Sequence, residues 1–152
     1  MHQRRVVLAG LMTTPLLGCS TMEPQAREMI NDAVRGFYEA LARRDVHLMQ
    51  QSWRNDEHVL IVHLDGRGVS VGWDAVRAGF ERFFASFPEI TISMTPSHMR
   101  VTGEVAVVMG LEQFAARRRD GTALRLEAMA TQVYERASGR WLAVYHQARR
   151  LA

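Results

Sequence analysis

Acid–base chemistry in this chain of 152 residues has to come from six histidines and a scatter of carboxylates, because every basic side chain other than histidine is an arginine. The absence of lysine excludes Schiff-base chemistry and a lysine general base. His63 and Asp65 stand two apart, so on an extended strand both side chains point the same way. A carboxylate beside the imidazole would orient it and raise its pKa, making His63 a general base. In the plainer alternative Asp65 opens a turn and His63 packs at a sheet end. His146 sits in an apolar run where alternation places it with Leu142 and Val144, opposite Trp141, Ala143, Tyr145 and Gln147. It reads either as a pocket residue or as a hydrogen-bonded core histidine. Glu112 shares a strand face with Ala106, Val108, Gly110 and Phe114. Buried there, its pKa would rise and it could serve as general acid or base; at the rim it would be an ordinary solvated carboxylate.

Around these groups lie side chains able to line a small-molecule cavity: Trp53, Trp73, Phe80, Phe83 and Phe84, with His58, Gln132, Tyr134 and Tyr145 as inward polar candidates. At helical spacing the aromatic set can equally be plain core. No metal site is expected, because His58 and His63 differ by five and fall on opposite strand faces. There is no glycine-rich phosphate loop of the GxGxxG or Gly-Lys-Ser/Thr kind, and no cofactor is expected.

The single cysteine, Cys19, closes the run Leu16-Leu17-Gly18-Cys19 behind Arg4, Arg5 and the apolar stretch Val6 to Leu17. That order is the charged, apolar and small-residue sequence of an export signal. The stretch is short of the roughly 20 apolar residues of a membrane span, and Thr13, Thr14 and Pro15 interrupt it. The tetrad resembles the lipobox of bacterial lipoproteins, which implies cleavage after residue 18 and lipid attachment to Cys19. Ser20 in the next position leans, by the same resemblance, towards the outer membrane. The expected organisation is a signal over 1–18, a tether over 19–25 and one domain over 26–152. The expected location is the periplasmic side of the cell envelope. One cysteine excludes intramolecular disulfides and multi-cysteine zinc sites.

Without Arg4 and Arg5 the 19 basic side chains become 17, against 16 acidic ones. A domain so close to neutral gives no electrostatic reason to bind nucleic acid. Arg117-Arg118-Arg119 reads as the solvated end of a hairpin, able at most to touch anionic headgroups.

The elements that must position these residues follow from periodicity. Met29, Ile30, Ala33, Val34, Phe37 and Leu41 recur at threes and fours and predict an amphipathic helix over 25–44. Asp45 is a suitable N-cap for a second helix to about Trp53. His58–Leu64 predicts a strand, Asp65-Gly66 a turn and Val69–Val71 a short partner. A third helix runs from Trp73 to about Phe87. The remainder predicts a four-stranded meander, starting at Ile90–Met94 with Pro96 as a bulge or edge position. Thr102-Gly103, Asp120-Gly121 and Ser138-Gly139 then separate strands Val105–Ala116, Leu124–Arg136 and Trp141–Ala148. The order ααββαββββ belongs to the α+β class.

Phe37-Tyr38-x-x-Leu41 with Asp45, then Trp53, His63, Gly72-x-x-x-Val76 and Gly139-Arg140-Trp141 together resemble the NTF2-like superfamily, and within it the SnoaL-like group. The resemblance covers about residues 26–149. It implies a cone in which a bent antiparallel sheet wraps a long N-terminal helix around an apolar pocket, and homodimers paired through the outer sheet face. Many relatives end on a histidine-rich run with a serine; here the run is Tyr145-His146-Gln147-Ala148-Arg149. The leading expectation is an envelope-tethered domain that binds a small apolar molecule. Trp53, His63, Trp73, Phe80, Phe84, Glu112, Tyr134 and His146 would line its pocket. The rival is a cofactor-independent isomerase, dehydratase or cyclase using His63 and Asp65 with His146 or Glu112. A third possibility is a dimeric scaffold module.

Overall fold

The computed structural model describes residues 24–64 and 68–151; the expected signal, the expected tether up to residue 23 with Cys19, and Asp65 lie outside the described residues, and Pro24 and Gln25, expected in the tether, already belong to the first helix. Helix α1 spans Pro24–Arg43 and buries Ile30, Val34, Phe37, Tyr38, Ala40 and Leu41 along one stripe. Arg44 turns the chain at φ 55°. Asp45 then caps α2 (Val46–Ser52), its carboxylate accepting from the backbone N–H of His47 at 2.8 Å and Leu48 at 3.0 Å. Strands β1 (Leu60–Val62) and β2 (Val69–Val71) form a small hairpin, and α3 follows over Trp73–Ser86. Four long strands complete the chain: β3 (Glu89–Thr102), β4 (Val105–Arg117), β5 (Ala123–Ala137) and β6 (Arg140–Arg150).

All six strands form one sheet in the order β2-β1-β6-β5-β4-β3. The α+β order expected from sequence is the order observed. The sheet is mixed rather than wholly antiparallel, because β1 pairs parallel with β6, Ile61 opposite His146. Meander strands reverse at each tight turn, but β1 reaches β6 only after α3 and three hairpins, so its direction is free of that constraint. Strand β1 is also shorter than the apolar run suggested, and His63 lies just beyond it. Ser138 (φ 50°) and Gly139 (φ 76°) both take positive φ in the β5–β6 turn, as a two-residue hairpin of matching twist requires.

Pro96 lies on the β3 edge, where its missing N–H costs no ladder bond, and the register with β4 shifts between Pro96 and His98. There β3 presses onto Gly110 of β4: a Cβ at that position would stand 2.3 Å from the Thr95 carbonyl oxygen. On the inner face of the sheet, β4 is buried at every second residue from Ala106 to Ala116. The main core gathers Ala106 and Val108 of β4 with α1, α3, Met49, Trp53 and Trp141, and Phe114 and Ala116 form a second cluster with Phe87.

Candidate functional site

Between the two longer helices and the inner sheet face the packing leaves a cavity of about 570 Å³, a size typical of small-molecule sites. Ala148 lines it; Gly110 and Ala130 share the Ala148 cross-strand row, and Ala128 stands opposite Glu112 in the next. Phe37, Phe80, Phe83, Phe114 and Leu126 give the wall its apolar character, and Glu112 and His146 are its inner polar groups.

Glu112 is buried, 5 % exposed, and the Tyr38 hydroxyl donates to its Oε2 at 2.8 Å. Burial pushes the Glu112 carboxyl up from its ordinary range, while the Tyr38 hydrogen bond pulls the other way and only partly offsets it. The phenol of Tyr38 is raised far above its usual range, chiefly by burial and then by the Glu112 charge, so it remains a donor at any physiological pH.

His146 reaches the cavity through a bulge. The β5–β6 register shifts between Val133 and Tyr134: Tyr134 faces Ala143, while Val133 faces Tyr145. The extra β6 residue reverses the alternation, so His146 joins Trp141 and Ala143 on the inner face instead of Leu142 and Val144. Tyr145 is thereby turned outward, onto Gln147. The His146 ring packs against Phe37 at 5.1 Å between centroids. Burial drives its pKa down to about 4, so it is neutral at pH 7.

Glu112 Oε2 and His146 Nε2 are 3.9 Å apart, too far for a direct hydrogen bond. Opposite charges at that distance would attract, but burial penalises both charged forms and is the first cause of each shift. The pair is therefore best described as a carboxyl biased towards its acid form facing a neutral imidazole. A single ligand oxygen can sit about 2.8 Å from both atoms at once. Opposite His146 on β5, the fully buried Gln132 accepts from Tyr134 Oη at 2.9 Å. Gln132 Nε2 and His146 Nδ1 have no hydrogen-bond partner among the described residues.

The other expected site residues are divided between the exposed part of the cavity, the packed core and the surface. His63 lines the cavity but is exposed there, sharing a hydrogen bond with Ser70 Oγ at 2.9 Å, apart from the inner pair. His58 is on the surface, 3.6 Å from Glu57. Trp53 is wholly buried between Phe37 and Phe80, with ring centroids 6.0 Å from each. Trp53, Trp73, Phe84 and Tyr134 belong to the packed core rather than to the cavity wall. Along α3 the wall takes Phe80 and Phe83, while Phe84 stacks behind Phe80 at 6.0 Å. Tyr38 carries the most important contact that site prediction from sequence missed. Its signal was its spacing, four after Val34 and three before Leu41, which puts the hydroxyl on the buried stripe. Among the described residues no three His, Cys, Asp or Glu side chains converge as metal ligands. No described helix is long and apolar enough to cross a membrane.

Comparison with known proteins agrees with this architecture. Residues 30–148 match the sequence profile of the SnoaL-like domain. A nuclear transport factor 2 (NTF2-like) superfamily protein from Salmonella enterica serovar Typhimurium superposes with a TM-score of 0.76 at 21% identity, covering 83% of this chain and 91% of that one. A conserved protein from Planctomyces limnophilus gives 0.73 at 17% identity, covering 84% and 97%. A ketosteroid isomerase-like protein from Erwinia carotovora atroseptica gives 0.71 at 13% identity, covering 82% and 95%. No curated protein matches the chain by sequence.

Proposed function

The chain belongs to the family of SnoaL-like domains and has the NTF2-like α+β fold; from that premise we propose that it binds a small, largely apolar molecule whose polar end is held by Glu112 and His146. The observation that carries this reading is the pairing of an open apolar cavity with two neutral-biased polar groups 3.9 Å apart on its inner wall. Such groups favour a carbonyl or hydroxyl: the acid form of Glu112 donates, and the imidazole accepts or donates according to its tautomer. Burial of the apolar body supplies most of the affinity, at about 25 cal/mol per Å² removed from water.

A second reading is cofactor-independent acid–base turnover in the same cavity, favoured by the same separation. A carboxyl and an imidazole that reach one substrate oxygen can pass a proton to and from it, and a raised carboxyl pKa suits a general acid. Tyr38 would then be a positioning residue, since it touches Glu112 and not the cavity wall.

The domain is further proposed to work at the cell envelope, tethered through lipidated Cys19. The motivating feature is Leu16-Leu17-Gly18-Cys19 behind a charged and apolar leader.

Fluorescence of the neutral dye N-phenyl-1-naphthylamine tests the pocket. The dye should brighten with the wild-type chain and not with Ala148→Leu or Leu126→Phe, which narrow the cavity. Equal brightening in all three would place the dye elsewhere and oppose the proposal.

A further inference from the structure

Gln132 of β5 and His146 of β6 each carry a buried polar atom with no partner among the described residues, and the two residues stand directly opposite each other in the sheet. Their cross-strand row continues as Val108 on one side and Ile61 on the other, neither with a polar side-chain atom. The row on one flank is Gly110, Ala130 and Ala148. On the other flank are Ala106, Tyr134 and Ala143, whose one polar group, the Tyr134 hydroxyl, is already donated to Gln132 Oε1 at 2.9 Å. Along these rows each of the two residues is the other's only polar neighbour with an atom left to pair. Turned the other way round, the Gln132 amide would leave both its own oxygen and the Tyr134 proton unpaired, so its NH2 is the end left over. Trp53 Nε1, the third buried side-chain atom without a partner among the described residues, is likewise an N–H donor. Of the three, only the imidazole can supply an acceptor, and a neutral imidazole does so on the nitrogen that carries no proton.

We infer that Gln132 holds His146 in the tautomer protonated at Nε2, with Nδ1 as the acceptor for the amide N–H, and that the inner end of the cavity therefore prefers a carbonyl oxygen. Which nitrogen of a neutral imidazole keeps the proton is set by what the other nitrogen binds, and in a buried site two N–H groups turned on each other are costly. A bridging water or a small rotation of the amide closes the contact. Nε2 is the nitrogen that faces Glu112, so both inner groups present donors to the ligand: His146 through Nε2–H, and Glu112 through its acid form while it accepts from Tyr38. A carbonyl oxygen has two lone pairs and accepts from both. A hydroxyl must also place its own proton, which of the inner pair only Glu112 could take, and then only by turning its acid proton away. Gln132 is not part of the cavity wall, so it is a positioning residue that acts through His146. This inference rests on the pocket reading above and adds to it which oxygen the inner pair selects.

Nitrogen NMR of the isotope-labelled full chain carrying Cys19→Ser, at neutral pH, reads the tautomer directly, the His146 signals being assigned by their loss in His146→Gln. The wild-type side chain should show Nε2 protonated and Nδ1 bare. Gln132→Met keeps the volume and removes the donor, and should show a mixture of tautomers or the reverse one. Displacement of N-phenyl-1-naphthylamine by 2-decanone and by 2-decanol reads the consequence. The ketone should compete better, and its advantage should shrink about three- to tenfold in Gln132→Met, the change expected of one hydrogen bond. His146 protonated at Nδ1, or a mixture, in the otherwise unaltered chain would overturn the inference, and that spectrum decides the tautomer even where Gln132→Met fails to fold. An Nε2–H tautomer that persists in folded Gln132→Met would overturn it too, because Gln132 would not be what holds it. An equal ketone advantage in both chains, with both probes blocked by Ala148→Leu, would overturn the selectivity while the pocket stands. If the dye itself does not bind, the pocket reading fails and the selectivity falls with it.

Discussion

Tyr38 and Glu112, 74 residues apart in the chain, form a buried hydrogen bond of 2.8 Å that joins the long helix α1 to strand β4. Tyr38→Phe removes the hydrogen bond that lowers the Glu112 pKa, leaving burial unopposed among the described residues. It should cost about 1–3 kcal/mol of stability, the range for orphaning a buried polar group. Glu112→Gln keeps a neutral acceptor for the phenol and should cost under about 1 kcal/mol. Urea unfolding of both variants measures the order; a Tyr38→Phe variant as stable as wild type would mean that the contact contributes little.

The pH dependence of stability should carry the signature of His146. Its ordinary pKa of 6.5 falls to about 4 in the folded protein, so between these values the unfolded chain binds more protons. Stability therefore drops as pH falls from about 6.5 towards about 4, by an amount on the order of 3 kcal/mol. His146→Gln should flatten this acid limb. Glu112 acts in the opposite sense: its pKa is raised on folding, so stability is lost as pH rises through the folded value. The small cost of Glu112→Gln should accordingly be lower at neutral pH than at pH 4. Thermal unfolding between pH 4 and 7.5 reads both slopes.

Gly110 should be the least replaceable glycine of the sheet. An alanine Cβ there meets the Thr95 carbonyl oxygen at 2.3 Å and the Pro96 Cα at 2.9 Å, so β3 must retreat from β4 at its bulge. Gly110→Ala should cost more than about 2 kcal/mol, in the range of overpacked core positions. Gly103, with positive φ but nothing within 4 Å of its Cβ position, should cost only about 1 kcal/mol as alanine. Comparable losses at the two sites would contradict the tight contact.

Cys19→Ser should move the protein from the membrane to the soluble envelope fraction if the cysteine carries the anchor. More than one acyl chain, at about 0.8 kcal/mol per buried methylene, is needed for stable attachment. Fractionation of cells expressing each form measures this, and a variant that stays with the membrane argues against the tether.

Much of the architecture was legible because its signals are local. The Met29–Leu41 periodicity, the Asp45 cap and the Ser138-Gly139 turn each act within a few residues and appear where expected. The site was less legible because its geometry is not local. One extra residue in β6 reverses the side on which His146 lies, and simple alternation along Trp141–Ala148 cannot reveal it. The meeting of Tyr38 with Glu112 depends on how the sheet bends over α1. Phe83 rather than Phe84 reaches the cavity, and Phe84 instead stacks on Phe80 in the core. The parallel pairing of β1 with β6 carries no short-range signal at all.

Native mass spectrometry of the protein purified from its own host tests ligand binding most directly. The account predicts an added small-molecule mass on the wild-type chain that is released on denaturation and is missing from Ala148→Leu prepared in the same way. Bare protein mass in repeated wild-type preparations, or an adduct that persists in Ala148→Leu, would contradict it.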